Sequence, residues 1–317
     1  PTLLFISFVS YIVIDLAPGD FFTQFRLNPR VDQETLNAMA QKFGLDKPWW
    51  ERYAIWLGGI VTRADFGFSF EFQRPVWDLF LERLPNTLLI TFPVFILSWL
   101  IAIPVGVFSS THQYSLGDNF FTFLTFLSLS IPNFFLGLVL MYFLVETFNV
   151  SSVGGLFSQQ FIAAPWFGAG GFNWAKFTDY LQHLWPPLIV ISTAGAAGLM
   201  RFMRGTMLDI LNAQYVQTAR AKGLVERRVI YKHALRNAIN PMITIFGQSL
   251  PGIITAGLIT SIIFNLPTVE RLFFTALRNL DEYLTMTILM FFAVLLVVGN
   301  LVADIALAVV DPRIRYD

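Results

Sequence analysis

The sequence predicts an all-α membrane protein with six transmembrane helices. Apolar residues make up 55% of the 317-residue chain and charged residues 13%, whereas a soluble domain carries about 25% charged residues. Polar segments separate six charge-poor stretches, and about 20 mainly apolar residues are enough for one span. One polar segment, residues 201–241, is strongly basic. Together these observations indicate a multi-pass membrane protein with a basic loop.

The first predicted transmembrane helix covers residues 1–16, an apolar stretch that ends at a turn-forming Ala-Pro-Gly-Asp. Sixteen residues are short for a span, and the chain starts on Pro rather than Met. We therefore expect this helix to be truncated, with a basic cytoplasmic start ahead of it. A cleaved signal peptide is the alternative, but no small-residue cleavage site follows the apolar run.

Residues 17–84 are the longest polar region, and we expect a helical cap loop outside the membrane. The region holds eight basic residues, and ten acidic ones if Asp15 is counted. Two apolar helical stripes are predicted, one behind an N-cap at Asp32 and one behind Pro48, which suits a first helical position. Their aromatic residues suggest packing at the membrane interface, and we expect them to form the core of the cap rather than to stack on a ligand. The stripes are Leu36, Met39, Ala40 and Phe43, then Trp49, Tyr53, Trp56, Leu57 and Ile60.

Residues 85–317 form the predicted membrane core, with five further spans. Internal prolines and two runs of small residues predict kinked, closely packed helices. Such features suit a moving pathway, although ordinary bundle packing explains them equally well. The spans are expected at about 85–108, 120–145, 184–200, 242–264 and 283–309, and the prolines are Pro93, Pro104, Pro132, Pro186, Pro187 and Pro251.

The centre of the basic loop, residues 214–241, is QYVQTARAKGLVERRVIYKHALRNAINP. Its periodicity predicts a short helix over about residues 213–222, with a cation in the last turn, where the helix dipole favours it. Gly223 follows, where glycine can take the left-handed conformation that turns the chain. Glu226 opens a second helix, which we expect to end before Pro241. The loop's basic residues are Arg201, Arg204, Arg220, Lys222, Arg227, Arg228, Lys232 and Arg236.

Basic residues in the short loops predict the orientation. With the loop of residues 201–241 in the cytoplasm, ten basic residues lie inside, eight of them in that loop, and three lie outside. The positive-inside rule favours this arrangement and exempts long loops. That exemption is needed, because counting the eight basic residues of the cap would raise the number of basic residues outside to eleven. Both termini are then cytoplasmic. The remaining counted residues are Arg313 and Arg315 inside, and Lys176, Arg271 and Arg278 outside.

Several function classes find no support in the sequence. The charges of the 21 basic and 21 acidic residues cancel, so no general attraction to nucleic acid is expected. The chain has no cysteine and no G-x-x-x-x-G-K-[ST] phosphate loop. The three histidines, His112, His183 and His233, are scattered. We expect no catalytic, cofactor-binding or metal site.

Ionisable residues inside the spans are few, only Glu146 and Asp304 near span ends. A transporter driven by protons or sodium needs such groups near the membrane midplane. Their scarcity argues against a secondary transporter.

The residues of the basic loop resemble the cytoplasmic "EAA" loop of ABC importer permeases, in the dipeptide/oligopeptide/nickel branch. The pattern Glu-Ala-Ala, three residues, Gly falls on Gln217, Thr218, Ala219 and Gly223, with substitutions at the first two positions. The resemblance continues through LAPGD, GLDKPWWERY, RPVWDLFLERLPNTL, HALRNAINP and DPRIRYD. Two departures lie in the predicted outer loops: Thr268 and Glu270 replace usual glycines, and DEYL at residues 281–284 lacks its usual proline.

The resemblance implies a type I ABC importer permease fold with a long extracytoplasmic loop after helix 1. It implies the first permease of a heterodimer, working with a homologous second permease, two ABC ATPases and an extracytoplasmic solute-binding protein. The ATPases would bind ATP and Mg²⁺, and this chain would bind no cofactor. The location would be the inner (plasma) membrane of a prokaryote. The residues implied to couple to the ATPase are Tyr215, Gln217, Thr218, Ala219, Arg220, Ala221, Lys222, Gly223, Glu226 and Arg227.

Other functions remain open at this stage. The branch favours di- or oligopeptides as substrate, with nickel chelates, glutathione or another small solute as alternatives. The loop also resembles a helix-turn-helix, but tethering to the bilayer on both flanks leaves little access to duplex DNA. An ion-coupled carrier or channel would show flux without ATPases. A solvated anchoring loop would not need a helix–glycine–helix shape.

Overall fold

A computed structural model describes residues 2–16, 18–19, 21, 23, 34, 41, 47–148, 154–168 and 171–310. Two predicted features lie outside the described residues: the first stripe of the cap behind Asp32, and the C-terminal arginines Arg313 and Arg315. The chain divides into two units, Pro1–Thr87 with Pro267–Leu295, and Leu88–Leu266 with Leu296–Asp317.

The described elements are almost all helical. In chain order they are α1 (Thr2–Asp15), α2 (Trp49–Arg63), β1 (Phe68–Ser69), β2 (Arg74–Pro75), α3 (Val76–Thr111), α4 (Leu116–Ser130), α5 (Asn133–Phe148), α6 (Gln159–Ile162), β3 (Phe167–Gly168), β4 (Gly171–Phe172), α7 (Trp174–Leu211), α8 (Gln214–Ala221), α9 (Glu226–Arg228), a π-helical segment (Val229–Ala234), α10 (Leu235–Ala256), α11 (Leu258–Ile263), α12 (Val269–Arg278) and α13 (Glu282–Val310). The strands form two antiparallel pairs, β1 with β2 and β3 with β4.

In the first unit, α2 packs on α1 and on the start of α13. Pro48 directly precedes α2, and the predicted stripe of α2 forms a core with Tyr11 and Met286. Arg52 of α2 donates hydrogen bonds to Glu282 at 2.8 and 3.1 Å and pairs with Asp15. The interpretation of the cap aromatics as a core is therefore confirmed for this stripe.

In the second unit, α7 runs through two hydrophobic cores. One core gathers α7 with α3, α5 and α11 around Phe264 and Val190, both completely buried. The other gathers the ends of α3 and α7 with α8, the π-helical segment and α10. The second core determines where the basic loop lies.

Three described helices are long and apolar enough to cross a membrane: α3, α7 and α13. The bent pair α4 and α5 passes the same test only when the two are taken together, as a broken span or a re-entrant loop, and α1 is a shorter apolar helix. The protein is thus helical with several apolar helices, and the count of six spans stays a prediction.

The stretch 120–145, expected to be one span, is two helices bent by 99°. Ile131 is extended, with φ −91° and ψ 121°, because Pro132 disfavours helical geometry in the residue before it. The stretch 184–200 is the middle of α7, which continues to Leu211.

The expected helix end before Pro241 is wrong, because α10 continues from Leu235 to Ala256. Proline removes one hydrogen bond from a helix. Here its neighbours Ala238 and Met242 are completely buried, so their packing favours an unbroken helix. Tertiary contacts thus outweigh the local preference.

Candidate functional site

Helix α8 is short, amphipathic and mostly exposed. It begins after Ala213, whose backbone is extended, and its only buried residues are Val216 and Ala219. These two are three residues apart and therefore share one face of the helix. The opposite face, which includes Gln217, Thr218 and Ala221, is exposed.

The core beneath α8 joins it to four other elements: α3, α7, the π-helical segment and α10. Val216 is completely buried, as are Met203 and Met207 of α7. Methionine fills irregular gaps because its side chain is unbranched and flexible. Helix α8 is therefore held in place by packing on the ends of α3, α7 and α10, in addition to its covalent links to the neighbouring helices. The buried members of this core are Val107, Met203, Met207, Leu211, Val216, Ala219, Val229, Ala234, Ala238 and Met242.

Gly223 ends α8 in the left-handed conformation that the sequence predicted. Its φ is +73°, its N–H donates to the carbonyl of Arg220 at 2.9 Å, and the N–H of Leu224 donates to that of Ala219 at 3.4 Å. This is the hydrogen-bonding pattern of a glycine-terminated helix. A Cβ added at Gly223 would meet no atom within 4 Å, so glycine is favoured by the backbone angle and not by lack of space.

Arg220 and Glu226 bridge the glycine turn. The Arg220 guanidinium donates to Glu226 at 2.7 and 3.2 Å and reaches the carbonyl of Leu211 at 3.4 Å. The hydrogen bond from Arg220 lowers the pKa of the Glu226 carboxyl. The pair lies at the surface, where ion pairs contribute little to stability. Its effect is to restrict the angle between α8 and the helix that follows.

A second contact joins α8 to α10. The side-chain amide of Asn237 donates to the Tyr215 hydroxyl at 2.9 Å and to the carbonyl of His233 at 3.1 Å. The π-helical segment Val229–Ala234 comes just before it, and single π turns are frequent at functional sites.

The outward surface after the turn is basic. Val225, Arg227, Arg228, Tyr231 and Lys232 line an open groove there. Three cations with an exposed valine and tyrosine form a surface suited to an acidic partner with some apolar area.

The ten residues that the sequence singled out are contiguous in space, and nine of them reach the surface. Ala219 is the exception, since it is 7% exposed and belongs to the core. The spacing of Tyr215, Val216 and Ala219 predicts one apolar stripe, but Tyr215 is 45% exposed. Sequence reasoning missed Asn237 as a partner of Tyr215, because nothing in local spacing links residues 22 positions apart.

The ionisable residues expected inside the spans, Glu146 and Asp304, are exposed in this chain. Among the described residues, the buried charged side chains lie elsewhere: Asp118, Lys176, Asp179, Glu270 and Asp281. Four of them stand within the first three residues of a helix or just before one, where backbone N–H groups lack helical partners. Asp179 lies further into α7 and accepts hydrogen bonds from the N–H and the hydroxyl of Ser158.

Glu270 and Asp281, one residue from each departure, have structural roles. Glu270 lies in the first turn of α12, where the helix dipole favours an anion, and the Thr87 hydroxyl accepts a hydrogen bond from the N–H of Val269 at 2.8 Å. Asp281 accepts hydrogen bonds from Ser69 Oγ at 2.5 Å and from the N–H of Leu284 at 3.3 Å, so it caps α13.

Long apolar helices with an exposed basic loop packed on their ends are the features of an integral membrane protein. The chain belongs to the family of binding-protein-dependent transport system inner membrane components, whose model matches residues 102–316. The N-terminal model of these membrane components matches residues 2–91. The chain is therefore a multi-pass inner membrane component of a transport system.

Curated relatives match over the full length. The oligopeptide transport system permease protein AppB of Bacillus subtilis is 40% identical over 100% of this chain and 96% of its own length. The dipeptide transport system permease proteins DppB of Lactococcus lactis and of Escherichia coli K12 are 31% and 30% identical, over 99% and 100% of this chain and 95% and 96% of their own.

Proposed function

We propose that this chain is the permease subunit of an ATP-driven importer and forms half of a translocation pathway for di- or oligopeptides. The observation that supports this most directly is α8, an exposed helix whose buried face joins the ends of α3, α7 and α10. A partner that moves α8 would move these helices with it. The similarity to peptide permeases over the full length supports peptides as the substrate.

In this proposal the energy comes from separate ATPase subunits. The chain has no phosphate loop, so ATP and Mg²⁺ are bound by the ATPases. The exposed face of α8 and the basic groove beyond Gly223 dock on the ATPase, in the way that a helix lies in a groove. Closure of the ATPase pair then reaches the membrane as a rigid-body shift.

The proposed assembly has a homologous second permease, two ATPases and an extracytoplasmic solute-binding protein. The loop of residues 201–241 and both termini face the cytoplasm, and the cap faces outward. No role for nucleic acid is included.

Reconstitution in proteoliposomes tests the proposal. The purified chain alone should neither bind nor hydrolyse ATP. With its partner subunits, hydrolysis should appear, rise with peptide-loaded binding protein and accompany peptide uptake. ATP hydrolysis by the single chain, free of contaminant, would overturn the assignment as a permease.

A further inference from the structure

The start of α4 is fastened to α7 by a buried carboxylate. Asp118 is 2% exposed and accepts a hydrogen bond from Arg204 of α7 at 2.9 Å. It also accepts from the N–H of Tyr114 at 2.9 Å and from Thr122 Oγ1 at 3.2 Å. A carboxylate with several donors is a rigid attachment point, because moving it would leave a buried charge unpaired.

The turn between α3 and α4 is shaped around this carboxylate. Tyr114 has a positive φ of 60°, which is uncommon for a residue with a side chain. Ser115 caps α4 by accepting from the N–H of Asp118 at 3.1 Å. A Cβ added at Gly117 would come within 2.7 Å of Phe108. The turn therefore holds the ends of α3 and α4 in close contact.

Two further contacts hold α7 against the same helices. A Cβ added at Gly106 of α3 would come within 2.8 Å of the Met203 side chain. Thr125 of α4 lies with its Oγ1 3.1 Å from the Met200 sulfur. Each of the three helices α3, α4 and α7 thus contacts the other two. Met203, which takes part in these contacts, also belongs to the core under α8.

We propose that the Asp118–Arg204 pair makes α4 move together with α8 during transport, so that Arg204 is a positioning residue for coupling. This inference rests on the proposed function. Helix α8 connects to α7, α7 to α4 through the ion pair, and α4 to α5 through the 99° bend at Pro132. A proline bend is a natural pivot, so a shift of α4 changes its angle to α5.

Substitution of Arg204 tests the positioning role, since Asp118 itself also holds the turn. Arg204→Met keeps the apolar stem and removes the charge; Arg204→Lys keeps the charge. In the full reconstituted complex, Arg204→Met should retain ATPase stimulation by loaded binding protein but lower peptide uptake per ATP by about 10-fold. Arg204→Lys should restore most of the uptake. The control is Arg201→Met, an exposed residue one turn earlier on α7, which should behave as the unsubstituted complex.

A distance measurement tests independently whether α4 and α8 move together. Spin labels at Asn119→Cys on α4 and Asn212→Cys at the end of α7, both exposed, report the separation of the two ends. This separation should stay constant between nucleotide-free and ATP-trapped complexes, and should change on ATP binding in Arg204→Met. If the Arg204→Met complex does not assemble, constancy in the complex with native Arg204 still supports the proposal.

Two results would overturn the inference: a label separation that changes with nucleotide while Arg204 is present, or normal uptake per ATP in Arg204→Met. Failure of the proposed function has a different signature. In that case, the unsubstituted chain would itself fail to stimulate the ATPases or to import peptide.

Discussion

At the scale of single residues, Gly223 sets the angle between α8 and the chain that follows it. The left-handed conformation was expected from its position after a helix with a cation in the last turn, and its φ of +73° confirms it. Empty space around the site means that a larger side chain acts through the backbone and not through a clash.

Gly223→Val should therefore tilt α8 while leaving membrane insertion intact. The β-branched residue costs on the order of 1–2 kcal/mol in this conformation. Peptide uptake and ATPase stimulation should fall together, as measured in proteoliposomes. Gly205→Ala is the matched control, because Gly205 lies within α7 with nothing within 4 Å of an added Cβ.

Arg220→Ala should reduce uptake less than Gly223→Val does. Arg220 and Glu226 are both substantially exposed, and their attraction is screened by water. If Gly223→Val imports at the normal rate while Arg220→Ala abolishes coupling, the hinge explanation is wrong and electrostatic docking replaces it.

The Arg220–Glu226 pair should also make the order of the loop depend on pH. Because the folded pKa of Glu226 is lowered, its contribution is present above the ordinary pKa of 4.5 and is lost as the pH falls through the lowered value. Hydrogen exchange of residues 214–228, corrected for intrinsic rates, should show decreasing protection below that range. Glu226→Gln should remove this pH dependence. If protection falls with pH in the same way in the variant, the Arg220–Glu226 pair is not its cause.

At the scale of elements, α10 and the end of α13 approach each other closely at Gly247. A Cβ added at Gly247 would overlap the carbonyl of Gly299 and come within 2.7 Å of the Ala303 Cβ. Glycine at such a crossing allows the two backbones to approach directly.

Gly247→Ala should separate α10 from α13 and destabilise the protein by about 1–3 kcal/mol, the usual cost of overpacking. Thermal unfolding in detergent measures the loss as a lower midpoint temperature. Gly252→Ala is the control in the same helix, since an added Cβ there meets no atom within 4 Å. Equal midpoints for the two variants would show that the crossing tolerates a methyl group.

At the scale of the whole molecule, the proposed orientation can be tested because the chain has no native cysteine. Gln160 and Lys222 are both exposed, and they lie in loops assigned to opposite sides. In intact cells, Gln160→Cys should react with an impermeant thiol reagent added outside, and Lys222→Cys should react only after permeabilisation. The reverse labelling would overturn the orientation.

The sequence by itself determined the features that depend on local rules. Long apolar stretches predict membrane helices because a span must satisfy its backbone hydrogen bonds internally. The helix–glycine–helix loop followed from periodicity and from the conformational freedom of Gly223. The ten residues expected to couple to the ATPase lie within 13 consecutive positions of the same loop, and their role stays a prediction.

Only the tertiary structure decided which distant residues meet. The stretch at Pro132 bends and the one at Pro241 continues, because the burial of Ala238 and Met242 offsets the lost hydrogen bond only at the second site. Asp118 pairs with Arg204 across 86 positions, and Gly247 meets Gly299 across 52. Such pairings depend on how whole helices pack, and no local pattern of residues encodes that packing.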